Sequence, residues 1–274
     1  MVRLPPGFCF SLGMTKKNKL VHKCHCATIE KACRLCLYAN SCIRNYAEGQ
    51  MKPILKQLER RGFLAGAAAL AAGRPAGAVL PMPPCGALCF KILRNGTPVG
   101  EHHVAFTQSG NCLRVDTNVE MVVTVAGIAV FRYRGRVCEY WRDGVFTSLA
   151  STVNHNGTRL VVQAAQIPGG YAVQSTKAGD YRYTGSPPML PMTYWNQAML
   201  KAMILNVETG RHYPAIVSSP GWNSLPAANG GTILARRFDV TGKLHMSLWY
   251  DQNGQWSGFE FHVLGHEVYQ KYLN

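Results

Sequence analysis

Residues 131–141 read FRYRGRVCEYW, and their side chains alternate in kind. Phe131, Tyr133, Val137 and Trp141 stand at odd positions, Arg132, Arg134 and Arg136 at even ones. A period of two belongs to a β-strand, whose successive side chains point to opposite faces. The stretch is therefore predicted as a strand with an aromatic core face and a basic outer face, the latter extended in the same parity by Arg142.

Outward from this strand, turn signals punctuate the chain. Asn95-Gly96, Asp143-Gly144, Asn156-Gly157 and Asn253-Gly254 recur, with Gly169-Gly170 and Thr241-Gly242 among them. Asn-Gly and Asp-Gly pairs supply the positive φ angles of tight hairpins. Leu244, Met246, Leu248 and Tyr250 alternate up to one such turn, and Phe259, Phe261 and Val263 resume after it. That is the pattern of an antiparallel meander whose apolar faces share a core. One segment departs from it: TYWNQAMLKAMIL opens with Thr193 as a cap and spaces Trp195, Met199, Ala202 and Met203 as a helix would. The expected fold is mainly β, a long, curved antiparallel meander forming a closed or half-open barrel, with one short helix packed on its concave side.

The linked blocks FKILRNGTPVGEHHVAF, VEMVVTVAGIAVFRYRGRVCEYWRDG, PMTYWNQAML and LWYDQNGQWSGFEFHVLGHEVY resemble a family of bacterial exported proteins catalogued as domain of unknown function 6134. The resemblance runs over roughly residues 88–271. It implies an exported β-rich domain and brings no activity with it. More distantly, the meander is similar to periplasmic half-barrel carriers that hold apolar ligands on a concave sheet, an analogy of fold alone.

Upstream, residues 59–81 read ERRGFLAGAAALAAGRPAGAVLP. Arg60 and Arg61 make a positive head, Phe63 to Ala72 a short apolar run, and Ala76-Gly77-Ala78 a small-residue cleavage site, in the order of an export signal. Arg60-Arg61-Gly62-Phe63-Leu64 resembles the twin-arginine motif. The apolar run falls short of the roughly 20 residues that span a membrane. Residues 51–78 are therefore read as a twin-arginine signal peptide starting at Met51, residues 1–50 as a mis-assigned, disordered upstream extension, and residues 79–274 as a single mature domain. Within the extension, Cys24, His25, Cys26, Cys33, Cys36 and Cys42 offer one Cys-x-x-Cys pair but no second clip at zinc-finger spacing. The expected location is the periplasm, with the twin-arginine translocase and signal peptidase as partners.

The formal net charge of +15 belongs largely to the leader. Residues 1–78 hold 13 of the 29 Lys and Arg but 3 of the 14 acids, which leaves 16 against 11 and a net +5 from residue 79 onward. That is no nucleic-acid footprint. No later run suits a transmembrane segment. Four cysteines remain (Cys85, Cys89, Cys112, Cys138), read as thiols or late-formed disulfides, since twin-arginine substrates fold before export.

No Gly-x-Ser-x-Gly elbow or phosphate loop is present, so no catalytic residue, cofactor or metal is assigned. His262 and His266 are spaced to share one strand face, with Glu267 on the other, but a zinc site needs a third ligand. Arg132, Arg134 and Arg136 suit an anionic lipid headgroup or a polysaccharide carboxylate, or else form a solvated outer face. Tyr194, Trp195 and Asn196 suit the lining of a pocket at the sheet mouth, or else belong to the core. The leading expectation is a non-enzymatic binding or carrier domain for an apolar or amphipathic ligand, such as a lipid. Its alternatives are a metal-assisted envelope hydrolase using His262 and His266, and a structural partner in an envelope complex.

Overall fold

A computed structural model describes residues 80–262 and 265–273. The readings placed on residues 1–79, with Arg60, Arg61, Phe63, Leu64, Ala76 and Ala78, lie outside the described residues, as does Val263. The first half is a run of antiparallel strands: β1 (Ala87–Arg94), β2 (Thr97–Ser109), β3 (Cys112–Val125), β4 (Ile128–Arg142), β5 (Val145–His155), β6 (Thr158–Ile167), β7 (Gly170–Ser175) and β8 (Tyr181–Tyr183). A crossing segment follows, with β9 (Met189–Pro191), a 3₁₀ turn (Gln197–Lys201), β10 (Met203–Leu205) and β11 (His212–Pro214). The meander then resumes as β12 (Ile216–Pro226), β13 (Thr232–Thr241), β14 (Met246–Asp251), β15 (Trp256–His262) and β16 (His266–Lys271).

Strand β16 pairs with β1, so both runs merge into one 13-stranded sheet ordered β12-β13-β14-β15-β16-β1-β2-β3-β4-β5-β6-β7-β8. Its ends, β12 and β8, do not pair with each other, so the sheet is open rather than closed. Its curvature can be read from contacts. Trp195 meets Trp141 of β4 at 5.2 Å between ring centroids, while the adjacent Tyr194 carbonyl accepts from the Tyr250 hydroxyl of β14 at 2.8 Å. Those strands are six places apart in the sheet, roughly 29 Å if it were flat at about 4.8 Å per strand. Two neighbouring residues can touch both only if the sheet curls around the crossing segment.

The turn chemistry follows the sequence. Asn95-Gly96, Asp143-Gly144 and Asn156-Gly157 all have positive φ at both positions, as type I′ hairpins require.

The expected helix over 193–205 is corrected. Only Gln197–Lys201 coils, as 3₁₀, capped by the Asn196 side chain accepting from the Ala198 N–H at 3.0 Å rather than by Thr193. Ala202 returns to extended backbone, and Met203–Leu205 pairs with both β9 and β11. The physical reason is burial spread along the segment rather than confined to one stripe, with Ala198 and Lys201 its exposed positions. Trp195, Met199, Leu200, Ala202, Ile204 and Leu205 are all buried, whereas a surface helix hides one stripe. Among the described residues, no helix is long and apolar enough to cross a membrane.

Candidate functional site

Tyr194, Trp195 and Asn196 lie on the concave side, within the core. Trp195 is fully buried, edge-on to Trp141 and to Phe106, and its indole N–H is shared between the two Glu139 carboxylate oxygens at 3.2 and 3.3 Å. Glu139 also accepts from the Trp141 indole at 2.9 Å and is hydrogen-bonded by the Thr193 side chain. Burial pushes this carboxyl up to about 7, and its three donors pull the other way. Tyr194 has φ +70°, rare for a bulky residue, and is held between Trp256 and Phe259. These residues fill the concave side and tie the crossing segment to β4. No sequence motif announces Glu139, because its partners lie two residues away on the same strand and more than fifty away along the chain.

The arginines stand elsewhere. On β4, Ile128, Val130, Arg132, Arg134 and Arg136 are all exposed and share the outward face. Pairing of β2 with β3 stops at Met121, and pairing of β4 with β5 begins at Tyr133. Residues 122–131 therefore project as a two-stranded ribbon beyond both neighbours, on the order of 15 Å at about 3.3 Å per residue. The ribbon is apolar: Val122, Val125, Ile128 and Val130 are 40%, 58%, 70% and 51% exposed. Its turn, Ala126-Gly127, has φ +49° and +80°, the same geometry as the Asn-Gly and Asp-Gly hairpins. Alanine lacks the local hydrogen bonding that eases Asn and Asp into this region, so an apolar tip is kept at some cost in strain. Behind the tip lie the exposed Arg132, Arg134 and Arg136. Arg134 pairs with Glu120 at 3.0 Å, but both side chains are over half exposed, so the pair holds little energy.

A second outward cluster is at the β15–β16 hairpin. His262 and His266 share one face of the sheet, as their spacing suggests, but they face each other across two strands instead of following one another on one. Their rings stack at 4.3 Å, 4° from parallel. Glu260, two residues before His262, places Oε1 3.0 Å from His262 Nε2 and 2.7 Å from His266 Nε2. Glu267 lies on the other face and pairs with Arg94 at 3.1 Å. Of the other histidines, His103 sits between Cys89 Sγ at 3.3 Å and Glu101 at 2.9 Å on the outer face of β1 and β2. His102 is fully enclosed by Phe90, Trp256 and Tyr269, with neither ring nitrogen partnered among the described residues. A further hollow of about 560 Å³ opens at the β12–β14 edge between Trp222, Ile233, Leu234 and Leu273.

A family model described as "Domain of unknown function (DUF6134)" matches residues 90–272. No curated protein matches the chain. Among solved structures, the chain is similar to a beta-barrel-like protein of domain of unknown function DUF1849 from Brucella abortus. The TM-score is 0.49 at 6% identity, over 68% of this chain and 94% of that one.

Proposed function

The chain belongs to the DUF6134 family, and from that premise we propose that it is an exported, non-enzymatic binding domain whose amphipathic ligand is an anionic phospholipid surface. The periplasmic location comes from the twin-arginine reading of Arg60 to Leu64. The binding surface is the projecting ribbon and not the concave side, where Trp195, Trp256 and Tyr250 occupy the space a carried ligand would need.

One observation carries this reading: an apolar ribbon, unpaired on both outer edges among the described residues, ends a strand whose next three outward side chains are Arg132, Arg134 and Arg136. Apolar side chains of an interfacial element enter the boundary between headgroups and acyl chains by roughly 5–10 Å. Arg132 follows Ile128 by about 13 Å of strand, which suits a guanidinium at the phosphate level. Burying the four exposed aliphatics contributes about 1–1.5 kcal/mol each. Each arginine near an anionic surface adds about 1 kcal/mol. Together these correspond to a partition in the micromolar range.

Sedimentation with vesicles containing phosphatidylglycerol is the test. Wild-type protein is expected to bind them, to bind neutral phosphatidylcholine vesicles at least tenfold less, and to lose binding as salt is raised. Ile128→Asp is expected to weaken binding at least tenfold, and the triple change of Arg132, Arg134 and Arg136 to Gln to remove the preference for anionic lipid. Equal binding by all three proteins would overturn the proposal. If the ribbon instead meets a second copy, the protein elutes as a dimer without lipid and Ile128→Asp makes it a monomer.

The tip turn provides a separate check. Ala126→Asn is expected to raise unfolding stability by about 0.5–1 kcal/mol, because Asn adopts positive φ more readily, while lowering vesicle binding. A change that stabilises the fold and weakens docking separates the two roles of this position.

A further inference from the structure

We propose that Glu260, His262 and His266 form a binding site for a borderline divalent metal ion, Zn²⁺ being the cation that their donor set suits. The three donor atoms lie within 4.8 Å of one another. Oε1 of Glu260 is already 3.0 and 2.7 Å from the two Nε2 atoms. In tetrahedral zinc, bonds of about 2.0–2.1 Å place neighbouring donors about 3.3 Å apart, so gathering these groups needs only small side-chain rotations. Two imidazoles and a carboxylate form a ligand set that leaves one position open to water. Imidazole nitrogen also selects against Ca²⁺ and Mg²⁺, which prefer oxygen.

The strand register makes the site. Glu260 and His262 are two apart on β15 and share a face, and His266 is the direct cross-strand partner of His262. The β1–β2 turn holds the third ligand's backbone from both sides: the His266 N–H donates to the Asn95 side-chain oxygen at 2.9 Å, and the Asn95 N–H donates to the His266 carbonyl at 2.8 Å. Next to it, the Arg94–Glu267 pair secures the opposite face of the same hairpin. The ligands are thus anchored by an element outside their own hairpin. At the side chains, His262 is 67% exposed, His266 43% and Glu260 23%, so a hydrated ion reaches the site directly. This exposure points to micromolar rather than buried-site affinity.

The experiment is calorimetric titration of the untagged full chain with ZnCl₂. Wild-type protein is expected to take up one equivalent more than the double variant His262→Ala/His266→Ala, whatever zinc the leader cysteines hold in both. Glu260→Gln is expected to weaken that equivalent at least tenfold. Equal stoichiometry and affinity in all three proteins would overturn the site. A measurement on wild-type protein alone runs in parallel: Zn²⁺ is expected to slow diethylpyrocarbonate modification of His262 and His266, but not of the exposed His212. Unchanged modification of the pair at saturating Zn²⁺ would equally overturn it.

Discussion

Trp195→Ala is expected to lower the unfolding free energy by about 5 kcal/mol, leaving a domain that is folded only marginally. Truncating a buried tryptophan costs about 3–5 kcal/mol in lost burial and residual cavity. Here two further losses follow. The edge-on contacts with Trp141 and Phe106 disappear, and Glu139 loses a donor that reaches both its oxygens. An enclosed carboxyl deprived of a hydrogen bond costs about 1–3 kcal/mol more. Natural domains hold about 5–15 kcal/mol in total. Trp195→Phe separates the parts, since it keeps most of the ring and removes only the N–H; about 1–3 kcal/mol is expected. Urea midpoints of the three proteins check the order. A cost below about 2 kcal/mol for Trp195→Ala would mean that the crossing segment is not what holds the curled sheet together.

The second large effect is a stability plateau produced by two buried groups of opposite sign. Glu139 in the folded protein is pushed up to about 7 from an ordinary 4.5, first by burial. Between those values the folded state keeps a proton that the unfolded chain has released, so stability falls as pH rises through the window. His102 is pushed down to about 3 from 6.5, first by burial and then by neighbouring His103. Between 3 and 6.5 the unfolded chain takes up a proton that the folded state refuses, so stability falls as pH drops. At about 1.4 kcal/mol per pH unit for each group, the two slopes cancel between about 4.5 and 6.5. The combined contribution of these two groups is therefore expected to be nearly flat across that range and to fall on both sides.

Removing either group should tilt the plateau. Glu139→Gln leaves the His102 slope uncompensated, and stability relative to wild type is expected to rise by roughly 3 kcal/mol from pH 4.5 to 6.5. His102→Phe leaves the Glu139 slope, and stability relative to wild type is expected to fall by a similar amount over the same range; it also removes two ring nitrogens that have no partner among the described residues from an aromatic cluster. Glu267, whose carboxyl burial also pushes up, acts alike in all three proteins and drops out of the comparison. Denaturant curves at half-unit pH steps would show mirror-image slopes. Identical profiles in all three proteins would contradict the assignment of both groups.

Strand alternation in residues 131–141 is sufficient to place Phe131, Tyr133, Val137 and Trp141 inward and the arginines outward, because the odd positions of β4 stay inward throughout, although Cys138 at an even position is buried as well. The turn pairs marked the hairpins for the same local reason: positive φ is a property of two residues. What escaped depended on partners distant in the chain. Residues 193–205 carry a helical spacing, yet pairing of Met203–Leu205 with β9 and β11 overrides it. Glu260 shares its parity with His262 and His266, but only the pairing of His262 with His266 across β15 and β16 brings the three donor atoms together. The ribbon's projection depends on where β2 and β5 cease to pair, which no property of residues 122–131 reveals. The one local clue is Ala126-Gly127, an apolar residue where the other type I′ hairpins use Asn or Asp.

Hydrogen–deuterium exchange of the wild-type protein with and without phosphatidylglycerol vesicles locates the lipid contact with no substitution at all. Added protection confined to residues 122–131 is expected, where the outward edges of the ribbon pair with no other strand among the described residues. Protection confined to the β12–β14 edge around Trp222 and Leu234, or no change anywhere, would contradict it.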